Sequence, residues 1–586
     1  MAETARNPID LLEALGPRGR KAIEHEAEWF AIPAGHTLFH QGDDGDDLFL
    51  VASGSLGVYQ QRHSGDLRLL ALIQAGETVG EMALISGERR SATVIAIRDS
   101  ELLRLSREKF DRLLKRQPEL LKGINRLLVE RLRHASSGRR PHIEPKTVGF
   151  LPANPMIQSD LIAAALAQRL ETLGYRVRLV GPESAGQTSE WFNKLEAEYD
   201  HIFLHGTLDN TAWVRLCARQ SDRILVVASA DRVENQLPED ILKERSAHQL
   251  LDLVLVYERD TGASGSASEW LERLPFNRHY HLREKNERDW SRLARAILGQ
   301  SVGLVLSGGG ARAFSQIGVL KALHDEGIPV DAVGGASMGA VLAAGIGMEW
   351  GIDELKERIH ESFVRSNPLS DVTLPLLGII KGRKVERLLT ENFGEADIPD
   401  LWLPFFCVSS NLSSGDLYIH TRGSVTKALR ASISLPGVLP PVVEESNILV
   451  DGAVINNLPV DIMRTMHQGP IMAVDVARDR SMKPEMLAMG SEATTWSQIK
   501  RLPILSILMR SGTVSGEAQN TLQALNADLL LEPPLGEIEI RNWSAFDEAV
   551  EIGYEHASAM LSGAGYVLRP KQKTAAASVR SAAASS

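Results

Sequence analysis

The chain has 586 residues, of which 44% are hydrophobic and 24% charged; this is ordinary for a globular protein with room for about three domains. With 64 basic against 75 acidic residues the net charge is −11, which argues against a nucleic-acid partner and against purely electrostatic docking on anionic lipid. Only two cysteines occur, Cys217 and Cys407, so a disulfide framework is excluded and a reducing compartment fits. Met1–Ile9 has no apolar core, and no run approaches about 18 apolar residues, so neither a signal peptide nor a transmembrane segment is expected. The expectation is a cytoplasmic protein, or a peripheral one that visits the membrane from the aqueous side.

Pro8–Leu15 and Arg18–Trp29 have the spacing of short helices. From Phe30 to Leu105 the pattern changes to short apolar runs separated by glycines: Thr37–Phe39, Leu48–Val51, Leu56–Tyr59, Leu69–Ile73, Thr93–Ile97 and Glu101–Leu105. This predicts an all-β roll. Ser106–Ala135 is then helical, with Pro118 dividing two helices. Its leucines between 113 and 132 either pair subunits into a homodimer or cover the roll.

Inside the roll, Gly80-Glu81-Met82-Ala83-Leu84 is followed by Arg90-Ser91-Ala92-Thr93-Val94. Together with Gln41-Gly42-Asp43 and Ser53-Gly54 this resembles the cyclic-nucleotide-binding domain. The resemblance implies cAMP or cGMP as a regulatory ligand. Amides after Gly80 would face the cyclic phosphate, and Arg90 would offer its oxygens a planar charged fork. Glu81 would accept from the ribose 2′-hydroxyl, and Ser91 would contact phosphate or base edge. The other reading is a roll kept for docking after binding was lost.

Ser136–Pro141 is a linker by composition. Beyond it, apolar runs at Thr147–Leu151, Arg176–Val180, His201–Leu204, Arg223–Val227 and Leu253–Tyr257 alternate with helical segments near 158–173, 210–220 and 237–250. That predicts a small parallel, Rossmann-like α/β domain acting as a linker. Its first turn, Pro152-Ala153-Asn154-Pro155, lacks the glycine and lysine of a phosphate loop. His201 and His205 flank a buried strand without a partner cluster and read as structural rather than metal ligands.

The stretch from Ser301 to Gly347 carries the chemistry. The apolar run Val302–Leu306 leads into Ser307-Gly308-Gly309-Gly310 and a helix over Ala311–Glu326. A second run, Val330–Val333, leads into the turn Gly334–Gly339 and a small-residue helix. Gly335-Ala336-Ser337-Met338-Gly339 is G-x-S-x-G, a serine on a sharp strand-to-helix turn with its hydroxyl exposed. The first turn also fits the dinucleotide fingerprint G-x-G-x-x-A. Asp331 has the count of the ribose-binding acid but lies at the start of its strand, the wrong edge of the sheet. Both glycine turns therefore open on one edge of a parallel sheet, and three consecutive amides beside a serine suit an oxyanion better than a pyrophosphate.

These turns, with Val450-Asp451-Gly452-Ala453 and Asn456-Asn457-Leu458-Pro459, resemble the patatin-like phospholipase family from Val302 to about Tyr566. The resemblance implies Ser337 as nucleophile, Asp451 as its partner in a Ser–Asp dyad, Gly308, Gly309 and Gly310 as the oxyanion loop, and Arg312 as its support. Two positions depart from the family pattern: Ala313 replaces a glycine and Gln316 a frequent histidine. A serine needs a base within reach, and His324, His420 and His467 each fall away from a strand end followed by a tight turn. Asp451 does not, and a partly desolvated aspartate can serve. Further on, Val372–Ile380 and Leu502–Met509 read equally as lid or lipid-facing patches and as buried pieces. Pro404–Ser409, Asp416–His420 and Ile448–Val450 read as strands, and Ala428–Pro441 as a helix.

The predicted organisation is a multidomain α/β protein: an N-terminal β-roll with helices (1–140), a middle parallel α/β domain (141–299), a patatin-like α/β hydrolase domain (300–570) and a disordered tail (571–586). The expected function is a serine esterase that cleaves acyl esters of phospholipids or lysophospholipids through an acyl-serine, regulated by cyclic nucleotide. It needs no metal or cofactor and touches a membrane surface transiently. It resembles the neuropathy-target-esterase branch, with one nucleotide domain. The competing expectation is a cyclic-nucleotide sensor whose hydrolase domain is a non-catalytic platform.

Overall fold

The computed structural model describes residues 23, 25–61, 67–116, 124, 129, 145–237, 249–258, 266–366, 368, 370–373, 378–467, 469–477, 520–536, 538–564 and 567–569. Expectations for 8–22, 136–141, 238–248, 502–509 and 571–586, and for most of the leucines between 113 and 132, lie outside these residues.

The N-terminal roll has eight strands: β1 (Glu28–Ile32), β2 (Thr37–Phe39), β3 (Asp47–Ser53), β4 (Ser55–Gln61), β5 (Leu67–Gln74), β6 (Thr78–Val79), β7 (Thr93–Ala96) and β8 (Ser100–Ser106). They form two antiparallel sheets, ordered β1-β8-β3-β6 and β2-β7-β4-β5. Strand alternation splits β3 between two cores. Leu48 and Leu50 pack with Phe110 and Leu113 of the following helix, while Phe49 and Val51 pack with Leu56, Ile73 and Val94 between the sheets. Trp29, expected at the end of a helix, lies in β1 instead, where cross-strand pairing with Leu103 overrides local spacing.

The middle unit is a six-stranded parallel sheet: β9 (Thr147–Pro152), β10 (Val177–Val180), β11 (His201–His205), β12 (Arg223–Ser229), β13 (Leu250–Tyr257) and β14 (Arg278–Arg283), ordered β10-β11-β9-β12-β13-β14. Helices cover both faces, each over its own apolar core. That double burial makes its strands read as continuous apolar runs.

Buried charge ties this unit to both neighbours. Arg98, just after β7, donates through Nε to Asp222 Oδ1 at 2.7 Å and through both Nη atoms to Glu196 at 2.7 and 3.0 Å. Burial pushes this guanidinium down, but the two carboxylates outweigh it and hold it above its ordinary value. On the other side, Arg283 and Arg292 both reach Asp289 and Glu349. His279 and His281 each place Nε2 2.9 Å from Pro399 O.

The third unit is an eight-stranded sheet: β15 (Gly303–Leu306), β16 (Ala332–Ala336), β17 (Phe405–Asn411), β18 (Leu417–His420), β19 (Val442–Glu444), β20 (Asn447–Asp451), β21 (Ile471–Val474) and β22 (Leu529–Leu531). Its path is β19-β20-β17-β16-β15-β21-β22, with β18 also on β17. β22, β21, β15, β16 and β17 are mutually parallel. The register of β17 fixes the site. Val408 pairs with Ala336 on one side and Ile419 on the other, and Ser409 pairs with Asp451 and Tyr418. Strands β16 and β20 therefore lie end to end along one edge of β17. Where they meet, the chain holds Ser337 and Asp451.

Candidate active site

Ser337 sits between β16 and the helix Met338–Gly347 with φ 52°, a left-handed conformation that costs a non-glycine residue energy and persists only where surroundings enforce it. The enforcement is tight packing of the elbow. A Cβ on Gly339 would stand 2.4 Å from Leu306 O, and one on Gly335 2.5 Å from the same atom. These glycines let the elbow press against the end of β15. Strand β16 accordingly runs through Gly334 and Gly335, which the sequence reading placed in the turn. The Ser337 amide donates to Ser432 Oγ at 3.1 Å, and that hydroxyl donates to Val408 O at 2.7 Å.

The side chain of Ser337 donates through Oγ to Asp451 Oδ2 at 2.7 Å. Asp451 is completely buried. Its other oxygen accepts from the Ala453 amide at 2.9 Å, and Ser410 Oγ donates to its carbonyl at 2.9 Å. The carboxylate is thus fixed by its own turn and aimed at one hydroxyl. The histidines weighed as bases go elsewhere. His324 is exposed. His420 Nε2 lies 2.9 Å from Ser409 Oγ, and burial holds its pKa down at about 4. His467 Nε2 is 2.7 Å from Ser301 O, at the opposite edge of the sheet. Asp331 is on that opposite edge too, paired with Arg295 and accepting from the Val302 amide.

The glycine loop runs beside the serine. The Gly308 amide donates to Asn457 Oδ1 at 3.0 Å, and Asn457 Nδ2 donates to Gly308 O at 3.2 Å. Gly310 has φ 57°, and the Ala311 amide donates to Ile540 O at 2.8 Å. Arg312, nearly buried, donates through Nε to Val476 O at 3.0 Å. Gln316 Nε2 donates to Ser307 O at 2.8 Å. The helix expected over 311–326 begins as a 3-10 turn, Gly310–Phe314, before the α-helix Ser315–Asp325. Neither Ser432 nor Asn457 was assigned a role from sequence. Asn457 stood in the quoted motif, but nothing in its spacing says that it folds back 149 residues onto Gly308.

In the roll, Gly80 has φ 90° and caps the helix Glu81–Ser86. Arg90 donates to Gly80 O and Asp47 O, each at 2.9 Å, and lies over the Phe39 ring at 4.2 Å. Its Nε has no hydrogen-bond partner among the described residues. Burial lowers its pKa, against the pull of Asp47 and Glu81. Glu81 is buried and Ser91 is exposed at the rim. The structure thus brings Gly80, Glu81 and Arg90 together, with the exposed Ser91 donating through Oγ to Met82 Sδ at 3.8 Å. Among the described residues no cluster of three or more His, Cys, Asp or Glu could hold a metal, and no helix is long and apolar enough to cross a membrane.

Three family models match. The patatin-like phospholipase model covers residues 304–464, the cyclic nucleotide-binding domain model 29–117, and the neuropathy target esterase family P-loop like domain model 146–301. The stretch that holds Ser337 and Asp451 is thus similar to the patatin-like phospholipase family. The middle unit is similar to the neuropathy-target-esterase family's own domain model. Despite that model's description, the turn after β9 is Pro152-Ala153-Asn154-Pro155, with no glycine and no lysine.

Among relatives, human patatin-like phospholipase domain-containing protein 6 is 28% identical over 93% of this chain and 45% of its own length. An uncharacterized NTE family protein of Mycobacterium tuberculosis is 29% identical over 96% of both chains. Lysophospholipase nte1 of Aspergillus niger is 26% identical over 93% of this chain and 42% of its own. The chain thus spans less than half of the human and fungal relatives. Among solved structures, the Catabolite Activator Protein of Thermus thermophilus is 31% identical over 28% of this chain and 71% of its own, with a TM-score of 0.21.

Proposed function

We propose that this chain is a serine esterase that hydrolyses acyl esters of phospholipids or lysophospholipids. The observation that supports it most is the 2.7 Å hydrogen bond from Ser337 Oγ to Asp451 Oδ2, made by a serine held at φ 52° on a strand-to-helix elbow. In this reading Asp451 takes the hydroxyl proton as Ser337 Oγ attacks the ester carbonyl carbon. The carbonyl oxygen gains negative charge and is met by amides of the glycine loop and by the start of the helix Met338–Gly347. The Gly308 amide is already given to Asn457, which leaves Gly309 and Gly310 as the donors in this scheme. Arg312 holds the far end of the loop. The carbon–oxygen bond to the alcohol then breaks, and the alkoxide leaves with the proton from Asp451. Water reverses the sequence: it gives a proton to Asp451, attacks the acyl-serine, and frees the fatty acid and the Ser337 hydroxyl.

The names of the relatives, among them a lysophospholipase, support a lipid ester as substrate, and a lipid in a bilayer implies transient contact with the membrane surface. Residues 1–140 would sense cAMP or cGMP through Gly80, Glu81, Arg90 and Ser91, 141–299 would link, and 300–570 would catalyse. The test is hydrolysis of lysophosphatidylcholine and phosphatidylcholine by wild type, Ser337→Ala and Asp451→Asn, with and without cyclic nucleotide. Activity that survives Ser337→Ala, or an absence of ester hydrolysis and fluorophosphonate labelling in wild type, overturns the proposal and favours the platform reading.

A further inference from the structure

The glycine loop is pinned at both ends. At one end Asn457 grips Gly308 twice, accepting from its amide at 3.0 Å and donating to its carbonyl at 3.2 Å. At the other the Ala311 amide is held by Ile540 O at 2.8 Å. Only Gly309 and Gly310 lie between. The carboxamide of Asn457 behaves toward Gly308 as a neighbouring strand would, offering one acceptor and one donor in register. It is also close to the nucleophile. A Cβ on Gly308 would stand 2.7 Å from Asn457 Oδ1 and 2.7 Å from Ser337 Cβ, so both side chains crowd the space beside the Gly308 Cα that a side chain would fill. Asn457 itself is 3% exposed, where an amide losing its partners is costly.

The origin of Asn457 adds weight. It lies six residues after Asp451, beyond the short turn Gly452–Val454 that the Asp451 carboxylate itself caps. One segment thus delivers both the proton acceptor and the grip on the glycine loop. From this geometry we infer that Asn457 is the positioning residue of the oxyanion loop: it sets the direction of the Gly309 and Gly310 amides without touching substrate. The inference rests on the esterase reading above.

The experiment compares kcat, KM and the rate of fluorophosphonate labelling in wild type, Asn457→Ala, Asn457→Asp and Ser337→Ala across pH 5.5 to 8.5. Loss of aim in the loop lowers kcat on the order of 10²-fold, slows labelling in step, and leaves KM within a factor of about two. Asn457→Asp supplies a readout that a packing role would not move. As a carboxylate it still accepts from the Gly308 amide but sets a second acceptor against the Gly308 carbonyl. As a neutral acid it donates there, as asparagine does. Burial raises the pKa of such a carboxyl, so activity relative to wild type rises as pH falls. Should Asn457→Ala melt early, the nearly isosteric Asn457→Asp carries the test. Wild-type kcat in Asn457→Ala, or an Asn457→Asp to wild-type ratio that is flat with pH, overturns the inference. Wild type no more active than Ser337→Ala overturns the esterase reading, and this inference with it.

Discussion

Replacing Arg98 by methionine leaves two buried carboxylates without the cation they share. Arg98 is 1% exposed, and its acceptors Asp222 and Glu196 are 9% and 8% exposed. Asp222 keeps the Lys146 and Thr147 amides, both at 2.9 Å, and Ser55 Oγ at 2.6 Å. Both Nη contacts to Glu196 are lost. Removing one partner of a buried ion pair costs about 3–5 kcal/mol, and three charge-assisted hydrogen bonds place this variant at the upper part of that range. Arg98 belongs to the roll and its acceptors to the middle unit, so the penalty falls on docking before it falls on either fold. Calorimetry of wild type should show the roll and middle unit unfolding together. Arg98→Met should split off a transition at lower temperature. Adding Glu196→Gln and Asp222→Asn neutralises the stranded charges and should recover part of the loss. A single transition at the wild-type temperature in Arg98→Met would refute the reasoning.

Asp451→Asn keeps an acceptor for Ser337 Oγ but cannot take its proton. Its kcat should fall by about 10²–10⁴-fold with KM little changed, as read by steady-state hydrolysis. Arg90→Ala should weaken cyclic-nucleotide binding by roughly 10-fold or more, since a hydrogen bond to a charged group contributes about 1.5–3 kcal/mol; titration calorimetry measures it. Acid should loosen the contact between the middle and catalytic units. Burial lowers His279 from 6.5 to about 4 and His281 to about 3. A histidine with a lowered folded pKa contributes stability that is present above about 6.5 and lost as pH falls toward the folded value, up to roughly 3 kcal/mol for His279. Melting temperatures that stay constant from pH 7 to 5 would contradict this. Gly318→Ala sets a Cβ 1.9 Å from Val550 O where the helices Ser315–Asp325 and Phe546–Ala564 cross. It should cost about 1–3 kcal/mol in denaturant melts.

The parts of the fold that sequence revealed are those whose local signal and tertiary role coincide. Gly335, Ser337 and Gly339 announce a strand-to-helix elbow because small residues are needed where that elbow touches the Leu306 carbonyl. Strands β12 and β13 announce themselves because both faces are buried. β14 was missed because Arg278-His279-Tyr280-His281-Leu282-Arg283 reads as polar, yet its charges and rings are used at the contact with the catalytic unit. β21 was missed because a four-residue run, Ile471–Val474, is too short to separate from loop without its neighbour β15. At the site, the meeting of Ser337 and Asp451 depends on Val408 and Ser409 pairing with two different strands in succession. No local pattern encodes that register. Ser432 and Asn457 were invisible for the same reason, since each acts through a hydrogen bond made across about a hundred residues or more.

The helix that begins at Ser337 ends two residues before Glu349, a non-glycine residue at φ 59°. Glu349 is grasped by Arg283 and Arg292 of the preceding unit. A fragment cut near residue 300 would therefore strip both guanidinium anchors from the tail of the helix that Ser337 opens. The middle unit is best regarded as a handle bolted to the unit that carries Ser337 and Asp451, and an engineer who trims it away as a spacer removes a piece of that unit's frame.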